Sequence, residues 1–125
     1  MSRLFNHVDV VVSSLDRSLH FYRELLRRLG WEGEGPITGE RGEVVVYLEG
    51  GLGLRERQAE GDVDRYRVGL HHLAFDASSR AMVDDVASWA TDLESAPREY
   101  DYSPGYYAVF FYDPDGVKLE VVHQP

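Results

Sequence analysis

The stretch Asp113-Pro114-Asp115-Gly116-Val117-Lys118-Leu119-Glu120-Val121-Val122 decides the fold, because it joins a readable turn to a readable strand. Pro114 presets its own φ, the aspartate side chains accept hydrogen bonds from nearby amides, and Gly116 reaches the left-handed region at no steric cost. A loop made of Pro114, Asp115 and Gly116 pairs Asp113 with Val117 and sets Phe110 opposite Glu120. Alternation then sends Val117, Leu119 and Val121 to one face, and Lys118, Glu120 and Val122 to the other. A lone carboxylate on so apolar a strand needs a cation, a metal ion or water to satisfy it.

Upstream of the turn, Tyr106–Tyr112 reads as the partner strand, with Tyr106, Ala108, Phe110 and Tyr112 on the Glu120 side. Before it lies a helical stripe of Met82, Val83, Val86, Trp89, Ala90 and Leu93, capped by Ser78-Ser79 and stopped before Pro97. Before that, Leu70-His71-His72-Leu73-Ala74-Phe75 reads as a strand. The same order appears earlier. Asn6–Val12 is a strand, Ser13-Ser14 are cap residues, and Leu15, Leu19, Tyr22, Leu26 and Leu29 recur at helical spacing up to Gly30. A loop rich in Gly and Glu, then strands over Glu43–Leu48 and Leu52–Arg57 around Gly50-Gly51, complete the first half. The helices are expected near 15–29 and 79–95. Modules 1–60 and 69–125 thus repeat within a single domain, joined by a polar linker. Either module alone covers only one face of its small sheet, which predicts that modules pack together.

The chain has 125 residues, 43% of them hydrophobic and 28% charged, which is enough to bury a core. No apolar run approaches the length of a membrane span, and Met1–Phe5 does not resemble the opening of a signal peptide, so a cytoplasmic location is expected. Thirteen Lys and Arg against 22 Asp and Glu give a net charge of −9, which argues against nucleic acid and anionic membranes as partners. The absence of cysteine excludes disulfides and thiolate metal sites.

His7 and His72 occupy matching places in the two modules. Val8, Val10 and Val12, like Leu73 and Phe75, are apolar and suit a helix-covered face, so both histidines project to the opposite face, as Glu120 does. If the sheets curve around one cavity, His7, His72 and Glu120 converge there, and two imidazoles with one carboxylate suit a divalent ion such as Fe, Mn, Zn or Ni. The plainer alternative is a set of satisfied polar groups near strand ends.

His7–Tyr22, together with His72–Phe75 and Asp113–Gly116 followed by Glu120, resembles the vicinal oxygen chelate superfamily of glyoxalases, extradiol dioxygenases, fosfomycin-resistance transferases and bleomycin-binding proteins. The resemblance covers nearly the whole chain. It implies an α+β fold of two paired βαβββ modules, whose curved mixed sheets surround a metal or ligand cavity. It also implies metal ligation by His7, His72 and Glu120, a small-molecule substrate, and a homodimer. Glyoxalase I has a further carboxylate ligand on the last strand of its first module. Laying Gly51–Arg55 over Gly116–Glu120 puts Arg55 there, and a guanidinium cannot ligate a metal. Arg55 is therefore expected to hold an anionic substrate group, or else to pair with a nearby acid. A one-residue slip would bring in Glu56 but would turn Leu52 and Leu54 into the cavity. Extradiol dioxygenases carry a tyrosine where this chain has Phe110, which ranks glyoxalase-like lyase or isomerase chemistry above oxygen insertion. Tyr106, Ala108, Phe110 and Tyr112 are expected to wall the substrate site. His71 has the opposite parity and is set aside. The competing expectation is a metal-free binding protein of the bleomycin-resistance type.

Overall fold

The computed structural model describes residues 3–125, and the chain divides into two compact units, one ending at Gly61 and the next beginning at Asp62. The first unit contains β1 (Val8–Val12), α1 (Leu15–Arg28), β2 (Glu34–Thr38), β3 (Val44–Leu48) and β4 (Leu52–Glu56). The second contains β5 (Leu73–Asp76), α2 (Arg80–Trp89), β6 (Arg98–Glu99), β7 (Tyr107–Tyr112) and β8 (Lys118–His123). Each unit is βαβββ, with sheet orders β1-β4-β3-β2 and β5-β8-β7-β6. The first strand of each unit pairs in parallel with the last, and the other neighbours are antiparallel. The fold is α+β, as the sequence implies.

Local chemistry explains the helices. Ser14 accepts from the Arg17 amide at 3.3 Å and Ser79 from the Met82 amide at 3.1 Å, so each serine satisfies one otherwise orphaned N–H. The stripe Leu19, Tyr22, Leu25 and Leu26 of α1 is buried, as are Val10 and Val12 of β1 and Leu52 and Leu54 of β4. In the second unit Val83, Val86, Val109, Phe111, Leu119 and Val121 are all completely buried. The odd-numbered residues of β7 and β8 thus form its core, and the even-numbered ones are left for the other face.

The Asp113 turn forms as read. The Asp113 amide donates to Val117 O at 2.9 Å, Asp113 Oδ1 accepts from the Asp115 and Val117 amides, and Gly116 has φ 86°. Phe110 lies opposite Glu120.

Four features differ from the sequence expectation. The second helix ends at Trp89, not near 95, because residues beyond it pair with the edge of β7: Tyr112 N donates to Asp92 O, and Glu94 N to Phe110 O. Leu93 consequently leaves the helical stripe and bridges Phe111. The Gly- and Glu-rich loop contains β2, an edge strand that accommodates Pro36 and shows no alternation because most of it is exposed. Arg98–Glu99 forms a short edge strand that has no sequence signature. Finally, β1 and β5 begin at Val8 and Leu73, so His7, His71 and His72 all precede their strands.

Candidate functional site

On the face of the second sheet opposite its core, Glu120 is only 2% exposed. The alternation of β8 forces this, since Leu119 and Val121 must enter the core. The carboxylate is satisfied at both oxygens. His72 Nε2 lies 3.0 Å from Oε1, and the Tyr106 hydroxyl donates to Oε2. Burial first, and the bond to Glu120 second, push the Tyr106 phenol pKa upward, so it stays a donor. The other ring nitrogen of His72, Nδ1, lies 2.8 Å from Nδ1 of His71, so one of that pair carries the hydrogen and the His72 ring is fixed at both ends. His71 enters the site because it precedes the strand, where parity does not apply.

These groups open on a cavity of about 630 Å³, within the size range of small-molecule sites. Its aromatic wall is Tyr100, Tyr102, Tyr106 and Phe110, and Arg98 and Lys118 are also at its surface. Tyr100 and Tyr102 stack at 5.3 Å with planes 8° apart, and Tyr100 meets Phe110 edge-on at 5.4 Å. Of the four residues expected to wall the substrate site, Tyr106 and Phe110 line this cavity. Ala108 instead lies beneath the wall, packed with Phe110 and Val122. Tyr112, at the far end of β7, carries the Arg65 guanidinium 5.5 Å from its ring centre and is not at the cavity surface. Sequence reasoning missed Arg98, which lies on the unpredicted β6. Lys118 was readable from its shared parity with Glu120.

The first unit has its own polar cluster. Arg55 Nη2 donates to Asp9 Oδ2 at 2.8 Å, and Nη1 lies 3.8 and 3.9 Å from the carboxylates of Glu40 and Glu43. Burial alone would lower the arginine's pKa, but the three carboxylates outweigh it and the pKa is raised. Tyr47 donates to the same Asp9 oxygen at 3.2 Å, and that bond raises its phenol pKa. His7 is exposed, with Nδ1 2.8 Å from Asn6 Oδ1 and its ring edge-on to Tyr47. Glu56 faces the helix side, accepting from the Leu15 amide at 2.9 Å, while Arg55 lies on the face that carries Asp9.

The ladders correct the superposition of the last strands. Asp9 pairs with Gly53 and Ala74 pairs with Glu120, so with His7 matched to His72 the counterpart of Glu120 is Gly53, and Arg55 lies two residues farther along. A Cβ at Gly53 would sit 2.3 Å from Asp9 Oδ1 and 2.5 Å from Tyr47 Cε1. The place of a further carboxylate is thus filled by the Asp9–Tyr47 pair.

The donors in the second unit suit a divalent ion. Two ligands at right angles, each about 2.1 Å from a metal, stand about 3.0 Å apart, and His72 Nε2 and Glu120 Oε1 are 3.0 Å apart. Tyr106 occupies the other carboxylate oxygen, leaving Oε1 turned toward the histidine. Among the described residues, neither unit by itself assembles three such ligands.

Known proteins agree with this architecture. The sequence model of the Glyoxalase/Bleomycin resistance protein/Dioxygenase superfamily matches residues 4–121, and the chain belongs to that superfamily. It is 31% identical to the uncharacterised protein YqjT of Bacillus subtilis (strain 168), over 94% of this chain and 96% of the relative. It is 27% identical to the metallothiol transferase FosB of Staphylococcus saprophyticus, over 97% of this chain and 77% of that protein. The crystal structure of a glyoxylase/bleomycin resistance protein/dioxygenase domain from Frankia sp. EAN1pec superposes with a TM-score of 0.74 at 26% identity, covering all of both chains.

Proposed function

We propose that this protein is a divalent-metal-dependent enzyme acting on a small, oxygenated, anionic substrate, with His72, Glu120 and a first-unit His7 as ligands. The observation that carries the reading is the buried Glu120 carboxylate, held 3.0 Å from His72 Nε2 at the surface of a cavity. A plain structural carboxylate has no need of an open cavity beside it. When bound, the ion supplies Lewis-acid polarisation of a substrate oxygen. The residues present do the rest. Glu120 contributes the negative charge, Tyr106 fixes the carboxylate rotamer, His71 fixes the His72 ring, and Tyr100 and Phe110 exclude water. Glyoxalase-like lyase or isomerase chemistry fits such a site. The name of the FosB relative, a metallothiol transferase, favours group transfer as a second chemistry for the same site. The reading carries with it a homodimer working in the cytoplasm.

A metal-free, bleomycin-resistance type of binding protein is the competing reading, favoured by the fact that His72 Nε2–H bonded to Glu120 already satisfies both groups. Calorimetric titration with Mn, Zn, Ni and Fe(II) separates the two. Wild type should bind at micromolar concentrations or better, and His7→Ala, His72→Ala and Glu120→Gln should each weaken binding, Glu120→Gln most. Four proteins that bind alike, or none binding below millimolar metal, would leave the binding-protein reading in place.

A further inference from the structure

We infer that Glu94, held by Lys118 at the surface of the second-unit cavity, is the general base of the site and takes a proton from a carbon beside a carbonyl of the substrate. The inference rests on the proposed lyase or isomerase reading and deepens it, because such chemistry needs a base that is not itself a ligand. The step balances without an external reactant. The C–H bond breaks, its proton joins a Glu94 carboxylate oxygen, and its electron pair forms the C=C bond of an enediolate whose charge rests on the former carbonyl oxygen. Passage of the hydroxyl proton between the two oxygens, and return of the carbon proton to the other carbon, complete an isomerisation.

Carboxylates and imidazoles are the groups that accept a proton at neutral pH. Four of them are at the cavity surface among the described residues: His71, His72, Glu94 and Glu120. Glu120 is engaged at both oxygens, by His72 and by Tyr106. His71 is tied through Nδ1 to His72 and lies edge-on to Tyr66. Glu94 differs. Lys118 Nζ lies 3.1 Å from its Oε2 and 3.3 Å from its Oε1, and its side chain is 40% exposed, so a substrate can reach the carboxylate. The other charged group acting on it is Arg65, which is set over the Tyr112 ring. Two cations from different parts of the unit thus steady one accessible carboxylate.

The early end of α2 is what brings Glu94 here. Beyond Trp89 the chain pairs onto the edge of β7, with Leu93 bridging Phe111 and the Glu94 amide donating to Phe110 O at 2.9 Å. The backbone that carries the carboxylate is therefore held by a strand, which a base needs if it is to stay in reach of one carbon atom. Phe110 then sets the spacing. Its ring meets the His72 ring edge-on with centres 6.0 Å apart, and Lys118 Nζ stands 4.7 Å from the same ring centre. Lys118 and Glu120 share a strand face two positions apart, a separation of about 7 Å along β8. The His72–Glu120 and Lys118–Glu94 pairs thus flank one aromatic ring, and a small oxygenated body lying on Phe110 meets both.

The test has two readouts on wild type, Glu94→Gln, Glu94→Asp and Lys118→Met, each shown to be folded by thermal melts. The first is zinc affinity by calorimetry, which involves no turnover and should be the same in wild type and Glu94→Gln. The second is deuterium incorporation at C3 of hydroxypyruvate in heavy water, followed by NMR with zinc-loaded protein against free zinc as background. Wild type should accelerate exchange, and Glu94→Gln should lower its kcat by about a hundredfold or more while KM stays within about threefold. Glu94→Asp should restore part of the rate, and Lys118→Met should lower kcat less than Glu94→Gln does. The wild-type rate should fall on the acid side as the base is protonated, and the residual rate of Glu94→Gln should lack that limb. Exchange at the wild-type rate in Glu94→Gln, an acid limb kept in that variant, or zinc-bound wild type without exchange overturns the assignment while leaving the metal site standing. Wild type that binds no zinc below millimolar concentrations overturns the enzyme reading, and the base assignment with it.

Discussion

Tyr106→Phe removes one hydroxyl and leaves a carboxylate that is 2% exposed with His72 as its remaining partner. A hydrogen bond to a charged group contributes about 1.5–3 kcal/mol, and the ring's own packing is kept, so the expected loss of stability is about 2 kcal/mol. With an unfolding entropy of about 2.1 cal/mol/K per residue, a chain of this length should melt about 8 °C lower. The assay is urea and thermal unfolding of chelator-treated protein at neutral pH, for wild type, Tyr106→Phe, Glu120→Gln and the double variant. Direct contact predicts a coupling of more than about 1 kcal/mol between the two sites. The sign with pH is also set. The folded phenol's pKa lies above the ordinary value of 10.0, so its contribution is fully present below pH 10 and declines as pH rises above that. Tyr106→Phe should lose this part of the alkaline destabilisation. A single variant within about 0.5 kcal/mol of wild type, or additive effects in the cycle, would falsify the view that Tyr106 holds Glu120.

Phe111→Ala empties a completely buried position in the second-unit core and should cost about 3–5 kcal/mol in denaturant melts. Among the described residues, Arg55→Met leaves Asp9 with Tyr47 as its remaining hydrogen-bond partner and should destabilise by about 1 kcal/mol in the same assay. Arg23 holds the Glu34 carboxyl below its ordinary value of 4.5, chiefly through their hydrogen bonds. The stabilisation is present above that value and lost as pH falls through the lower folded one. The pair is largely exposed, so Arg23→Gln should move the Glu34 NMR titration upward while changing stability by less than about 1 kcal/mol.

Much of the fold was legible because short-range chemistry specifies it. The Asp113 turn sets its own register, the serine caps start both helices, and the apolar alternation of Leu119 and Val121 settles which way Glu120 points. Edge elements were not legible, since β2 and β6 owe their pairing to a neighbouring strand and carry no burial pattern of their own. The end of α2 was misread for the same reason: Leu93 continues the helical stripe, yet β7 offers it a bridge.

The site divides along similar lines. Sequence by itself determined that Glu120 lies opposite Phe110 and off the core, because strand parity is a local property of the backbone. It could not determine that Tyr106 reaches the carboxylate, that His71 steadies His72, or that Gly53 and not Arg55 matches Glu120. Those depend on where strands begin and how parallel ladders are staggered, and loop lengths differ between the two units. What each arginine meets was likewise a tertiary outcome. Arg55 and Arg98 are alike as residues, but one is folded among three carboxylates and the other onto a tyrosine, and only long-range packing decides a cation's neighbours.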